Sequence, residues 1–293
     1  MVYLKGSKTE ENLRTHYIKE LQACAKYNYF ASAAREEGFN QIADVFFQTA
    51  KNEAEHAEHE FKLLGEVENV RENLKLSITG EHNESRNLYP EAAKVAGEEG
   101  FTEIAEFFRK MSGVERRHEE KFRELLDSLD KGGSLEGKTV RGSSVYMSQV
   151  MLLDQANPSG NVHGGELMKL MDSAAGVVAI RHSSLNSVTA MVEEINFHHP
   201  VRIGELVLIH AQLTFASYSS MEILVDVETE NLSTGKKIKA LSAHFVMVAL
   251  GNNKKPKKVP PLIVCTEEEE RLFNEGLMRY ESRRSKAQNS KKI

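Results

Sequence analysis

The stretch REEGFNQIADVFFQTAKNEAEHAEHEFKLL, residues 35–64, returns at residues 97–126 as GEEGFTEIAEFFRKMSGVERRHEEKFRELL, an offset of 62 since 97 − 35 = 62. A segment written twice folds twice into the same unit. Apolar residues recur every three or four positions in both copies with few β-branched runs, which predicts helices. Breaks near Glu37-Gly38, Leu64-Gly65 and Glu99-Gly100 divide residues 1–130 into four helices. The third of these is interrupted or kinked at Pro90, a residue without an amide proton for the helical ladder. The expectation for this half is an all-α four-helix bundle.

The offset also carries chemistry. It places Glu53 on Glu115 and His56 on His118, so the second helix of each pair presents Glu-x-x-His. Three residues are close to one helical turn, and both side chains of each pair therefore face one way. The first helix holds Glu20, and the third holds Glu81 and Glu84. A glutamate from each of two helices plus Glu-x-x-His from each of the other two is the donor set of two-metal ferritin-like bundles. Carboxylates bridge two cations and balance their charge, while imidazole suits iron and leaves positions open for a peroxide or oxygen ligand. One Glu-x-x-His on a charged helix is usually a solvated face. Two at the same place in a repeat, with glutamates on both remaining helices, favour a metal centre.

The segments KGSKTEENL, YNYF, EEGF, QTAKNEAEHAEH, TGEHNES and LYP together resemble rubrerythrin over nearly all of residues 1–130. The resemblance implies a di-iron peroxidase with Glu20, Glu53, His56, Glu81, Glu84, Glu115 and His118 as ligands of two iron ions. Tyr27 becomes a hydrogen-bonding neighbour, and His16, His59 and His82 become surface residues. Members of that family commonly continue into a cysteine-rich rubredoxin-type domain. Here the two cysteines, Cys24 and Cys265, stand far apart. Electrons are then expected from an external donor such as a rubredoxin.

A chain of 293 residues favours two domains, and the run DKGGSLEGK marks the change of composition, with residues 131–142 expected to be a linker. Beyond it, alternating apolar and polar residues in SVTAMVEEINF, ELVLIHAQLTF, MEILVDVETEN and KIKALSAHFVMVAL predict four strands, with a fifth in SSVYMSQVMLL. Between them HGGELMKLMDSAAGVVAIRHS predicts one helix, apolar on nearly all sides and therefore buried. A sheet wrapped around such a helix is the α+β hotdog arrangement. Its chemistry belongs at the start of the helix, where Gly164 and Gly165 leave backbone amides for an oxyanion and Asp172 stands in an apolar stretch. Asp172 is expected as general base on water and Asn161 as the group that positions the water or carbonyl. His163 divides evenly between a substrate contact and a helix cap. The bland reading is a structural aspartate and a tight glycine turn.

QANPSGNVHGGELMKLMDSAAGVVAIRH, VEEINFHHPVRIGE, ENLSTGKK and VPPL, between about residues 143 and 263, resemble the hotdog acyl-CoA hydrolases of the brain-type cytosolic group and their bacterial relatives. In tandem members of that group the catalytic asparagine and aspartate lie on different repeats. The single repeat here keeps both, which implies sites shared between two chains, a homodimer at least, and a hexamer built as a trimer of dimers. After residue 265 a charged helix and basic tail are expected, with no functional assignment. The whole is expected to be a cytoplasmic acyl-CoA thioesterase, with coenzyme A as part of substrate and product, joined to a di-iron module that reduces or senses peroxide. The alternative is a di-iron peroxidase whose hotdog half only binds acyl-CoA or assembles the oligomer. A net charge of −5 gives no basic footprint for nucleic acid, and no uninterrupted apolar run predicts a membrane span.

Overall fold

In the computed structural model the described residues are 3–130 and 137–290, and the chain divides between residues 135 and 136 into two units. Most of the expected linker, residues 131–136, lies outside the described residues.

The first unit is helical: α1 (Lys8–Glu36), α2 (Asn40–Leu63), α3 (Val70–Asn83), α4 (Tyr89–Glu98) and α5 (Thr102–Asp130). Ser7 starts α1 by accepting the Glu10 amide on its hydroxyl, which satisfies one of the amides left open in the first turn. The sequence repeat reappears as a repeated turn. Gly38 and Gly100 both take positive φ, 86° and 87°, and the amides of Phe39 and Phe101 close back onto the carbonyls of Ala34 and Ala96 at 2.8 Å in both copies. This is the glycine-terminated closure that satisfies the last carbonyls of a helix. Between α3 and α4 lies a π-helical turn, Glu84–Leu88, in which the Tyr89 amide bonds the Glu84 carbonyl five residues back. The interruption expected at Pro90 therefore sits just before it. Pro90 has no proton for the carbonyl of Arg86, and the turn widens upstream while the proline occupies the first turn of α4, where its missing amide costs nothing.

Packing organises these helices as two antiparallel hairpins. Ala43, Ala50 and Ala57, seven residues apart, bury one stripe of α2 against α1, and Tyr17 stacks on Phe61 at 5.1 Å. In the second hairpin Tyr89 meets Phe108 at 6.1 Å, and Ser112 donates to the Ser85 carbonyl at 2.8 Å. Among the described residues the helices pack extensively only within α1–α2 and within α3–α5.

The second unit opens with β1 (Lys138–Thr139), inside the segment expected to be linker, and a single helical turn, α6 (Val140–Ser143), that begins within it. There follow β2 (Val145–Val150), α7 (Gly164–Ser183), β3 (Asn186–Phe197), β4 (Leu206–Ala216), β5 (Ser220–Asn231), β6 (Lys236–Leu250), β7 (Leu262–Ile263) and α8 (Glu267–Ser290). Five strands form one antiparallel sheet in the order β2-β4-β5-β6-β3, and β1 pairs in parallel with β7. All five expected strands and the glycine-led helix are present.

Helix α7 lays Leu167, Met171, Ala174, Ala175, Val178 and Ala179 on the sheet, against Leu213, Ile223, Val225 and Phe245, all of them buried. The expectation of a helix buried all round is corrected: Asp172, Ser173, Val177 and Ile180 are exposed, so one face of α7 is open. Sequence composition could not tell a helix sunk in one chain's core from one that leaves an apolar face free. Helix α8 covers the opposite face of the sheet. A register shift between Leu213 and Phe215 turns Phe215 outward, where it meets Phe273 at 5.2 Å and Tyr280 at 5.3 Å. Glu222 beside it is 1% exposed, accepts from Arg279 at 2.7 Å and Arg283 at 2.9 Å, and is thereby a paired buried charge. The charged C-terminal segment is thus a structural layer.

Candidate functional site

Two sites arise, one in each unit. In the first hairpin Glu20, Glu53 and His56 each offer one ligand atom, all within 4.8 Å of one another. His56 Nδ1 lies 3.0 Å from Glu53 Oε2 and 4.0 Å from Glu20 Oε2. In the second hairpin Glu81, Glu115 and His118 repeat the arrangement, with His118 Nδ1 at 2.8 Å from Glu115 and 3.6 Å from Glu81. Six of the seven expected ligands therefore fall into two matching triads. Glu84 belongs to neither, although it opens the π turn one helical turn beyond Glu81.

The electrostatics fit a cation. A hydrogen bond with Glu53, then burial and charge repulsion, raise the Glu20 carboxyl above its ordinary pKa; burial, then the Glu115 carboxyl, do the same to Glu81. Carboxylates held this close repel one another unless a proton or a positive ion stands between them. Hard oxygen donors with one imidazole per triad suit iron or manganese. His82, expected as a surface residue, is exposed yet engaged. Its Nδ1 is 3.2 Å from Glu119, a buried carboxylate that also pairs with Arg123 at 2.7 Å and is thereby held below the usual carboxylate range. The sequence repeat does not mark Glu119, because its repeat partner is Ala57 (119 − 62 = 57).

In the second unit the loop before α7 sets the site. Asn157 Oδ1 accepts the amides of Ser159 and Asn161, which tightens the turn, and the Asn161 side chain makes no hydrogen bond among the described residues. His163 is the cap of α7, its Nδ1 accepting the Gly165 amide at 3.0 Å. The capping half of the expectation for His163 is thus present in the fold. The Gly165 amide is thereby engaged by its own helix cap, while the Gly164 amide takes no partner among the described residues. Asp172, two turns along the open face of α7, accepts a hydrogen bond from Thr189 Oγ1 at 2.5 Å. Thr189 sits on β3, which holds one edge of the sheet, and sequence pattern alone did not single it out from other strand threonines. Along the same strand Val188, Met191, Ile195 and Phe197 are exposed.

Comparison with known proteins likewise finds two families in the one chain. The rubrerythrin family model matches residues 11–72 and 72–169, and the thioesterase superfamily model matches residues 159–236. The second rubrerythrin match runs beyond the helical unit, and its described residues from 137 to 169 belong to the second unit. Rubrerythrin of Clostridium perfringens is 41% identical over 149 residues, covering 45% of this chain and 76% of its own. The cytosolic acyl coenzyme A thioester hydrolase of Mus musculus is 43% identical over 153 residues, covering 50% of this chain and only 40% of the mouse protein. Among solved structures, acyl-CoA hydrolase from Bacillus cereus is 33% identical with a TM-score of 0.50 and covers 53% of this chain and 95% of its own. An apo-hexameric acyl-CoA thioesterase is 29% identical, also with a TM-score of 0.50, over 52% of this chain and 97% of its own. With its paired Glu-x-x-His helices and its helix-backed antiparallel sheet, the chain belongs to the rubrerythrin family and carries, joined to that ferritin-like part, a hotdog domain of the acyl-CoA thioesterase kind.

Proposed function

We propose that the hotdog half hydrolyses acyl-CoA to the free acid and coenzyme A, and that the helical half is a di-iron module that reduces or senses peroxide. The observation that carries the first part is the carboxylate of Asp172, oriented by Thr189 on the open face of α7. Asp172 takes a proton from water as the water oxygen attacks the thioester carbonyl. The Gly164 amide faces the charge that develops on the carbonyl oxygen, and the carbon–sulfur bond breaks to release the thiolate of coenzyme A. Asn161 is proposed to position the water or the carbonyl. The open face of α7 and the exposed apolar edge of β3 are supported as the surface on which a second chain closes the site, and the hexameric thioesterase among the relatives supports the larger assembly.

In the helical half Glu20, Glu53, His56, Glu81, Glu115 and His118 would hold the metals, with Glu84 one turn away on the π segment. When bound, two ferrous ions would supply the two electrons that convert hydrogen peroxide and two protons to two waters. Restoring those electrons requires an external donor, for which a rubredoxin-type protein is proposed.

The test is steady-state hydrolysis of acetyl-, butyryl- and palmitoyl-CoA by wild type, Asp172→Asn, Asn157→Ala and Asn161→Ala, with metal content and peroxide consumption measured on the same samples. Loss of a general base costs on the order of 100- to 10,000-fold. Hydrolysis that survives in Asp172→Asn would refute its role. The two asparagine variants separate the loop-shaping amide from the one that reaches substrate. No hydrolysis at any chain length, with metal bound and peroxide consumed, would leave the hotdog half as an acyl-CoA binder or assembly platform.

A further inference from the structure

The two triads are half-sites, and three observations bear on what completes them. First, no helix of the first hairpin packs extensively on a helix of the second among the described residues. Second, the helix faces that carry the histidines also carry unburied apolar side chains at equivalent places in the repeat. Ile42 and Val45 on α2, and Ile104 and Phe107 on α5, are between 47% and 67% exposed. At 100° per residue all four lie within about 40° of His56 or His118 on their helices.

Third, the connector between the hairpins is short. A ferritin-like bundle joins its two helix pairs by one long crossover, which carries the chain back along the bundle. Helix α2 runs ten residues beyond Glu53 (63 − 53) and α3 runs eleven before Glu81 (81 − 70). Bringing the two triads level in that topology requires a rise of 21 residues, about 32 Å, besides the step sideways between helices. Seven Cα steps from Leu63 to Val70 reach at most about 25 Å when fully extended. Leu64 still has helical angles and Asn69 is the cap of α3, which shortens the reach further.

We infer that the two-metal bundle is assembled between two copies of this chain: α1–α2 of one packs against α3–α5 of the other, and the reverse pairing forms a second bundle. The partner is a second copy because the sequence repeat gives both hairpins the same ligand pattern and matching apolar stripes. Each bundle then draws Glu20, Glu53 and His56 from one protomer and Glu81, Glu115 and His118 from its partner. Closing the faces removes the four apolar side chains from water and places the like-charged triads around shared cations. The inference rests on the two-metal reading of the helical half.

Mixed chains test it. One full-length chain carries Glu20→Ala, Glu53→Ala and His56→Ala; the other carries Glu81→Ala, Glu115→Ala and His118→Ala. Each is purified alone and after co-expression, and each is loaded with Mn(II) alone. Electron paramagnetic resonance distinguishes a coupled manganese pair from isolated ions, whatever the activity. With reciprocal assembly, half of the randomly formed dimers are mixed, and each mixed dimer has one bundle with both triads intact. Coupled pairs should therefore return to about one quarter of the wild-type amount per chain, and to none in either variant alone. Coupled pairs in wild type with none in the co-expressed mixture would overturn the inference. No coupled pair in wild type would instead refute the two-metal reading beneath it. If the triple variants lose helicity, His56→Ala and His118→Ala chains serve the same arithmetic.

Discussion

Gly276→Ala sets two opposed effects against each other on the helix that backs the sheet. In an exposed helix interior, replacing glycine by alanine stabilises by about 1 kcal/mol, because the glycine loses more backbone freedom on folding. Gly276 lies within α8 where that helix crosses Phe215, and a Cβ there would stand 2.7 Å from Phe215 Cβ and 3.0 Å from Glu222 Oε1. Neither neighbour yields easily. The first is fixed to the β4 backbone, and the second is a buried carboxylate held by Arg279 and Arg283. Overpacking of this kind costs about 1–3 kcal/mol, and any lift of α8 also lengthens the Glu222 ion pairs, whose complete rupture would cost about 3–5 kcal/mol. The clash outweighs the propensity gain, for a net loss of about 1–2 kcal/mol. At about 2–4 °C per kcal/mol for a unit of this size, the hotdog transition should fall by about 2–8 °C in scanning calorimetry. Gly113→Ala on α5, where a Cβ meets nothing within 4 Å, should raise the helical transition instead. A Gly276→Ala protein as stable as wild type, or more so, would refute the close docking of α8.

Three further outcomes follow from single sites. Burial holds His182 below its ordinary pKa of 6.5, its ring bonded to Ser143 Oγ and to the Pro260 carbonyl. Its neutral form is therefore the folded one: the stabilisation is complete above pH 6.5 and is lost as pH falls below it. His182→Gln should lessen the fall of the hotdog Tm between pH 7 and 5, and equal slopes would contradict the assignment. Thr189→Val removes the hydroxyl that orients Asp172; because the pair is exposed in one chain, the loss should be modest, about 2- to 10-fold in kcat. Thr189→Ser should restore the rate, and an unchanged rate in Thr189→Val would remove Thr189 from the site. Metal added at about 100 times its Kd should stabilise the helical unit by about 2.7 kcal/mol. A thermal melt of the Glu53→Ala, Glu115→Ala double variant should lose that increment, and retention of it would place the metal elsewhere.

What the sequence by itself determined is local or periodic. The offset of 62 sufficed for two helix pairs, their shared glycine turn and their paired Glu-x-x-His side chains, because helical spacing alone fixes which side chains share a face. Alternation sufficed for the five strands, and the paired glycines Gly164 and Gly165 for the start of the helix that carries Asp172. Tertiary structure decided whatever depends on residues distant in the chain or on competition for one proton. The Gly165 amide is occupied by His163, a choice that composition leaves open. Thr189 meets Asp172 only because β3 lies beside α7. Phe215 and Glu222 become the seat of α8 only after a bulge reverses the strand's faces. The separation of the two hairpins was likewise invisible to pattern. An amphipathic stripe records that a face is to be buried, and only the packed chain shows that nothing among the described residues does so.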